Sequence, residues 1–498
     1  MNMANPLKQL AGETAIYGLS SILAKVVNFL LVPLYTAVLT RAQYGVVTEF
    51  MAYIAIAQVV LTLGLETGCF RFASKEGGDS DKVFSNAFIT VLGICLLFFC
   101  GVSLFADGIS SALGYEGFSN MVVFTTATLL LDCPAAIIFA RLRFDHKALK
   151  FAVIRTLKIL TEVGVNLYLY LAFPKFAATH PDNFLLHFVS ATPDYTYALF
   201  AIVVSCVVCI LMLLPDILRL RWRVDAKVWK ALMLYSLPIM IAGLPGVLND
   251  FLDRLLMRHF VPGDWRADLG VYQAGVKIAV IMTLFVQMFR YAAEPFFFHR
   301  DREKNNKQLF ARVTGYFTAF CMIGFLGIML YIDIIGMMLG KDFRLGLGIT
   351  PIMLMANVLL GLLFNVNMWY KLSGKTTYAV WITLAGLVAS VVLNVCLMPR
   401  FSYHAAAWGH LVSYLVMLAI SAYLGAKNHP IPYNWFQIGG FMAAGVAVYG
   451  ISRILPEMAM WPKMAVHTVL LAAYAFPVVW LIYKDYKKST QYESQNSQ

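Results

Sequence analysis

Residues 15–38 read AIYGLSSILAKVVNFLLVPLYTAV, and only one of these 24 residues is charged. As a helix the stretch is about 36 Å long, enough to cross the ~30 Å hydrocarbon layer of a bilayer. Lys25 lies near its middle. About 18 Å of helix separate it from either end, and a lysine stem reaches only about a third of that. A lysine facing lipid at that depth would cost roughly 3 kcal/mol. The charge is therefore expected to face protein or a wet cavity.

The rest of the chain repeats the pattern. Its 498 residues are 60% hydrophobic and 13% charged, against the roughly 25% charge of an average soluble domain. Mean hydropathy is +0.71. Apolar stretches of about 20 residues recur from end to end, which defines an all-α polytopic membrane protein. The stretches are continuously apolar rather than alternating, which argues against a β-barrel. MNMANPLKQLAGET lacks a short apolar core followed by a small-residue cleavage site, so the first span is expected to be retained. The eight cysteines read as small core thiols. CVVC at 206–209 has no second pair and no nearby histidine to make a metal site, and no disulfide framework is implied.

Fourteen spans are expected, at about 13–39, 46–69, 84–106, 119–140, 152–173, 194–215, 229–257, 269–297, 310–338, 346–370, 376–398, 402–425, 434–453 and 464–483. The longest connection, 174–193, is too small for a catalytic domain, so the chain is not read as an enzyme. With the N-terminus in the cytoplasm, the cytoplasmic loops and tails take 25 of the 39 Lys and Arg residues and the opposite side takes nine. That asymmetry orients the chain with both termini in the cytoplasm. It also accounts for most of the +12 net charge without a nucleic-acid partner.

The remaining five basic residues lie inside spans: Lys25, Lys158, Arg254, Lys277 and Arg290. Intramembrane charges are functional candidates. Tyr17, Ser21, Lys25 and Asn28 share one face of the first span, and Lys158, Glu162, Asn166 and Tyr170 form a stripe on the fifth. The seventh span holds Asn249, Asp250, Asp253, Arg254 and Arg258, and the eighth holds Gln273, Lys277, Gln287, Arg290 and Glu294. The second adds Glu49, Gln58, Thr62 and Glu66, and the fourth adds Asp132 beside Pro134. Structural readings stand beside the functional ones. Asp250 with Arg254, and Lys158 with Glu162, sit one turn apart and would form internal ion pairs. Arg290 and Glu294 would serve as interfacial anchors near a helix end. A wet basic cavity suits an anion, a phosphate above all. The carboxylates suit a proton or Na⁺ that drives the cycle, and the residues do not select between these ions.

YGLSSILAKVVNFLLVPLYT at residues 17–36 opens the first half, and YSLPIMIAGLPGVLNDFLDRLL at 235–256 opens a second bundle. Each leads to a Tyr/Gly/Val cluster (QYGVVTEF, LGVYQAG) and then to a span end holding an arginine and a glutamate (LETGCFRF, FRYAAEPF). Such parallel repeats are a transporter signature. The expected organisation is a six-helix lobe over 1–225, a second over 226–428, and two appended helices with a polar tail over 429–498.

NFLLVPLYTAVLTRAQYGVV (28–47), LTLGLETGCFRFASK (61–75), SLPIMIAGLPGVLNDFLDRLLM (236–257), GVYQAGVKIAVIMTLFVQMFRYAAEPFFF (270–298) and MPRFSYHAAAWGHLVSYLV (398–416) carry a family resemblance. At these residues the chain resembles the polysaccharide transporter family. These are the oligosaccharide-lipid (O-antigen type) flippases of the multidrug/oligosaccharidyl-lipid/polysaccharide exporter (MOP) superfamily. His404 stands where that family often has glycine, which bears on local helix packing. The resemblance implies two lobes around a central cavity that opens alternately to each side of a bacterial cytoplasmic membrane. It implies as substrate a sugar on a polyprenyl pyrophosphate, with basic cavity residues holding the pyrophosphate. Carried over by position, those residues are Lys25 and Lys277, then Arg254 and Arg290, with Asn28 and Lys158 beside them. Asp250, Asp253, Glu294, Glu162, Glu66 and Asp132 are the candidate coupling-ion or gating carboxylates. Gly18, Pro33, Pro238, Gly243, Pro245 and Gly246 would let the first and seventh spans bend, or mark static kinks. The expected partners are the lipid-linked oligosaccharide, membrane lipids, H⁺ or Na⁺, and polysaccharide assembly enzymes, with the chain a monomer and no cofactor or metal required.

Three other readings compete. Fourteen helices also resemble the lipid II flippases of peptidoglycan synthesis. A drug/cation antiporter of the same superfamily would share the helices, but several cavity lysines oppose a cationic substrate. An integral-membrane glycosyltransferase, polymerase or ligase would need a larger extramembrane domain than the sequence offers.

Overall fold

A computed structural model describes residues 6–74, 79–300, 306–456 and 458–496. The described residues are helical and contain no strand. We number the membrane-scale helices α1 (Pro6–Val38), α2 (Arg41–Thr62, resuming over Leu65–Ala73), α3 (Ser80–Leu104), α4 (Ser119–Phe144), α5 (Ala148–Leu167), α6 (Thr196–Ile217) and α7 (Ala226–Phe260). They continue as α8 (Trp265–Arg300), α9 (Asn306–Leu330), α10 (Thr350–Val366), α11 (Thr377–Phe401), α12 (Tyr403–Asn428), α13 (Trp435–Ile454) and α14 (Met460–Asn496). Among the described residues thirteen helices are long and apolar enough to cross a membrane. The charged stripe of α5 keeps it out of that group, yet it packs against α1 and α6 like its neighbours.

Local sequence sets the helix ends. Thr40 caps α2 through a reciprocal box with Gln43, Asp79 caps α3 by accepting from the Lys82 amide at 3.2 Å, and Asp225 caps α7. Leu63 and Gly64 both adopt positive φ (54° and 67°) and break α2. A Cβ on Gly64 would lie 2.7 Å from the Ser236 carbonyl oxygen, so only glycine lets α2 reach the α7 backbone there. α7 runs without interruption through Pro238, Gly243, Pro245 and Gly246, as α1 does through Pro33.

The longest expected loop is partly ordered. α5 passes through a π turn at Tyr168–Ala172 into a short helix, Phe173–Thr179, with Pro174 in its first turn, where a missing amide proton is harmless. Buried Phe173 and the bond from Tyr170 to the Asp194 carbonyl (2.9 Å) fix this extension.

The chain divides into two compact units. The first comprises Met1–Gln273 and Val391–Ala406. In it α4 packs on α3 and α6, α5 on α1 and α6, and α2 on α4 and α7. Its core includes Phe50, Phe84, Met121, Leu129 and Cys133, all nearly inaccessible. His404 is exposed and stacks on Tyr403 (ring centroids 4.4 Å apart), while Ala405 and Ala406 are buried. The second unit comprises Ala274–Ser390 and Ala407–Gln498. There α9 packs on α10, α13 and α14. Buried Trp369 donates to the Ser421 hydroxyl at 3.1 Å, which donates to Asn367 Oδ1 at 2.6 Å. Inside a bilayer such contacts act by van der Waals packing and hydrogen bonding rather than by excluding water.

Candidate functional site

The α7 stripe is built as its spacing indicates, because Asn249, Asp253 and Arg254 are all buried on it. Arg254 pairs with Asp253 Oδ1 at 3.5 Å, donates from Nε to Gln273 Oε1 of α8 at 3.4 Å, and lies 4.8 Å over the Phe251 ring. Its Nη1 also donates to the backbone carbonyl of Asp250. The Tyr272 hydroxyl donates to the other oxygen of Asp253. Lys25 is exposed on α1 and close enough to Asp250 to feel its charge. Asn28, one turn further on, is half-buried. Part of this unit thus presents a basic side chain beside an acidic one, next to an arginine held by Asp253, Gln273, the Phe251 ring and the Asp250 carbonyl.

A second polar group lies deeper among the helices. The Lys158 ammonium pairs with Asp132 Oδ1, and Gln58 donates to Oδ2 at 3.2 Å. This joins α5, α4 and α2, with Cys206 and Cys209 of α6 buried nearby. The identified partner of Lys158 is therefore Asp132, not the Glu162 one turn away. Two side chains on facing helices meet end to end, whereas neighbours on one helix project side by side. The rest of the α5 stripe joins helices: Asn166 accepts from Tyr35 of α1 at 2.9 Å and donates to the Glu162 backbone carbonyl at 2.8 Å. Glu66 is a part-exposed ion pair with Arg143 at 3.0 Å.

In the second unit, Lys277 is half-buried, and Arg290 is exposed with its guanidinium 4.8 Å from the Phe364 ring. The Glu294 side chain lies outside the described residues. Among the described residues no three His, Cys, Asp or Glu side chains converge as metal ligands.

Sequence reasoning missed the tightest polar cluster. Glu49 of α2 has no exposed surface, and it accepts from Tyr53 at 2.8 Å, from Tyr115 and from Arg258 Nη1. Arg258 Nη2 also donates to the Leu113 carbonyl, and Arg266 Nη2 donates to the Gly114 carbonyl at 3.1 Å. The Arg258 and Arg266 guanidinium groups lie 5.2 and 4.9 Å from the Trp265 ring. Burial and the Glu49 carboxylate push the Tyr115 phenol upward, which keeps it a hydrogen-bond donor. A close backbone crossing supports the cluster: a Cβ on Gly45 would fall 1.9 Å from the Arg266 carbonyl oxygen, and one on Gly270 2.0 Å from that of Arg41. Only the two tyrosine–glycine pairs Tyr44–Gly45 and Gly270–Tyr272 hinted at the crossing; nothing in the spacing linked Glu49 to Arg258 across 209 positions.

The solved structure of the lipid II flippase MurJ in an inward closed conformation is similar to this chain with a TM-score of 0.67 at 11% identity, over 95% of this chain and 99% of that one. An inward-facing multidrug resistance MATE transporter of the MOP superfamily matches with a TM-score of 0.57 at 13% identity, over 85% and 95%. A MOP-superfamily transporter from Pyrococcus furiosus, described by a binding pocket of reversed polarity, gives 0.54 at 12%, over 87% and 95%. The protein is thus a multi-pass helical membrane protein with the fold of MOP-superfamily transporters. It belongs to the polysaccharide biosynthesis protein family, whose family model matches residues 10–299. No curated protein sequence matches the chain. The motifs at 28–47, 61–75, 236–257 and 270–298 all fall inside the matched region.

Proposed function

We propose that the protein is an alternating-access flippase. It would carry a polyprenyl-pyrophosphate-linked oligosaccharide, a repeat unit of a cell-surface polysaccharide, from the cytoplasmic to the periplasmic leaflet of a bacterial inner membrane. The family match over residues 10–299 carries this reading. In it, residues 1–225 and 226–428 form the two lobes, 429–498 adds two helices, and both termini are cytoplasmic. Lys25, Asn28, Arg254, Lys158, Lys277 and Arg290 are the candidate pyrophosphate and sugar groups. Exposed Lys25 is the first choice, because Lys158 is already held by Asp132. H⁺ or Na⁺ would drive the cycle through carboxylates such as Asp250 and Asp253. We read the Glu49–Arg258 cluster as a gate joining α2, the 105–118 connection and α7 at one end of the helices.

Lipid II is the second substrate reading, favoured by the likeness to the lipid II flippase along nearly the whole length. The experiment is lipid-linked oligosaccharide translocation in vesicles, with lipid II run alongside. Loss of transport in Lys25→Ala with rescue by Lys25→Arg is the expected result. Full transport by Lys25→Ala would move the anion site to Lys277 and Arg254. Transport of lipid II but not of the oligosaccharide would replace the substrate.

A further inference from the structure

Beside the Glu49 cluster lies a cavity of about 370 Å³ between α2, α3, α4 and the short helix Ala106–Ala112, closed on one side by Leu255 of α7. This exceeds twice the ~150 Å³ that admits a benzene, and falls in the ~300–1,000 Å³ range of small-molecule sites. Its wall is apolar and aromatic, built from side chains such as Phe50, Ala57, Val102 and Leu129. Three hydroxyls besides interrupt it. Tyr53 gives its proton to Glu49, and Thr126 bonds the Val122 carbonyl of its own helix at 3.1 Å. Thr125 does neither. It is 9% exposed, and its Oγ1 is buried with no hydrogen-bond partner among the described residues.

That contrast selects a ligand. A threonine on a helix ordinarily returns its hydroxyl to the preceding turn, as Thr36, Thr48 and Thr126 do here. A hydroxyl left in an apolar wall is stable when the occupant supplies the missing partner. We propose that the cavity binds a single aliphatic chain ending in one hydroxyl, a fatty alcohol. The hydrocarbon would lie along Phe50, Ala57 and Leu129, and the oxygen would bond Thr125 Oγ1. A polyprenyl chain is a poorer fit, since its head is a charged phosphate and the wall offers it no cationic side chain. The site adjoins the Glu49 cluster through Tyr53, does not include Lys25, Asp250 or Arg254 in its wall, and is independent of the substrate assigned above.

The test is photolabelling of the full-length protein in nanodiscs with a diazirine-bearing 1-dodecanol, followed by peptide mapping. Labels are expected on the α2 and α4 peptides that contain Ala57 and Thr125. Dodecanol should compete at least severalfold better than dodecane. Thr125→Val, which conserves volume, should weaken apparent binding about tenfold, the loss of one buried hydrogen bond. Ala57→Phe should abolish labelling, with thermal unfolding checked alongside. If Ala57→Phe does not fold, Thr125→Val carries the test. Equal labelling of Thr125→Val and wild type would overturn the proposal, as would equal competition by dodecane. Stronger competition by polyprenyl phosphate than by dodecanol would also overturn it.

Discussion

The Glu49–Arg258 cluster and the Lys25–Asp250–Arg254 group are both ionic and both join α7 to an earlier helix or its surroundings, but they are built for opposite ends. Around Glu49, two tyrosines, a guanidinium and a loop carbonyl saturate every charge, and the carboxylate has no exposed surface. Around Asp250, Arg254 and Asp253 are tied to their neighbours, while the Lys25 side chain is exposed. A saturated charge holds structure. An exposed cation is open to a further partner, which is why Lys25 leads the proposed anion site.

Four measurements press on that contrast. Glu49→Ala should be the most destabilising substitution, because it leaves Arg258 with an uncompensated charge that costs roughly 3–5 kcal/mol in the chemically induced unfolding of the reconstituted protein. The double variant with Arg258→Ala should lose clearly less than the sum of the singles. Strict additivity would show that the two residues act apart. Lys158→Ala should follow at about 2 kcal/mol, since Asp132 keeps Gln58 and some exposure. A loss as large as that of Glu49→Ala would make the deeper ion pair the main lock instead.

Lys25→Ala should change stability by no more than about 0.5 kcal/mol, as expected for a substitution outside any tight network, while translocation is lost. Comparable falls in both would class Lys25 with the structural charges. Smallest is Asp79, whose carboxyl the Lys82 amide and the Arg221 charge hold below its usual range. Since the folded value is depressed, this capping contribution is complete above the unfolded value of about 4 and fades as pH falls through the folded one. Hydrogen exchange at residues 80–86 should therefore be flat from pH 8 to 5 and speed up only in more acid solution, relative to Asp79→Asn. An acceleration already present near pH 6 would exclude Asp79 as its source.

Helices were easy to read in the sequence because lipid demands long apolar stretches, and those stretches need no partner to be recognised. Even α5 could be placed, since Leu, Val and Ile flank its four charges. The polar stripes of α5 and α7 followed from a period of four. What the period does not encode is the partner on another helix. Lys158 looked equally ready for Glu162, and the choice of Asp132 arises only when α4 and α5 meet. Glu49 reads only as one polar residue of the second span and Arg258 as one of the seventh, because their spacing along each helix says nothing of a partner on another. The short helix from Phe173 to Thr179 falls almost wholly in the stretch read as a connection, since Pro174 ends most helices yet begins this one.

The break at Gly64 brings α2 against α7 well away from Arg258. Jammed against the Ser236 carbonyl, it gives α7 a fulcrum, and Arg258 sits 22 residues away, or about 33 Å of helix. A tilt of roughly 5° about that point would sweep the guanidinium some 3 Å, about the length of one hydrogen bond. In the gate reading α7 would then work as a crowbar with its catch at the tip: a slight rocking near Gly64 would be enough to unlatch Glu49.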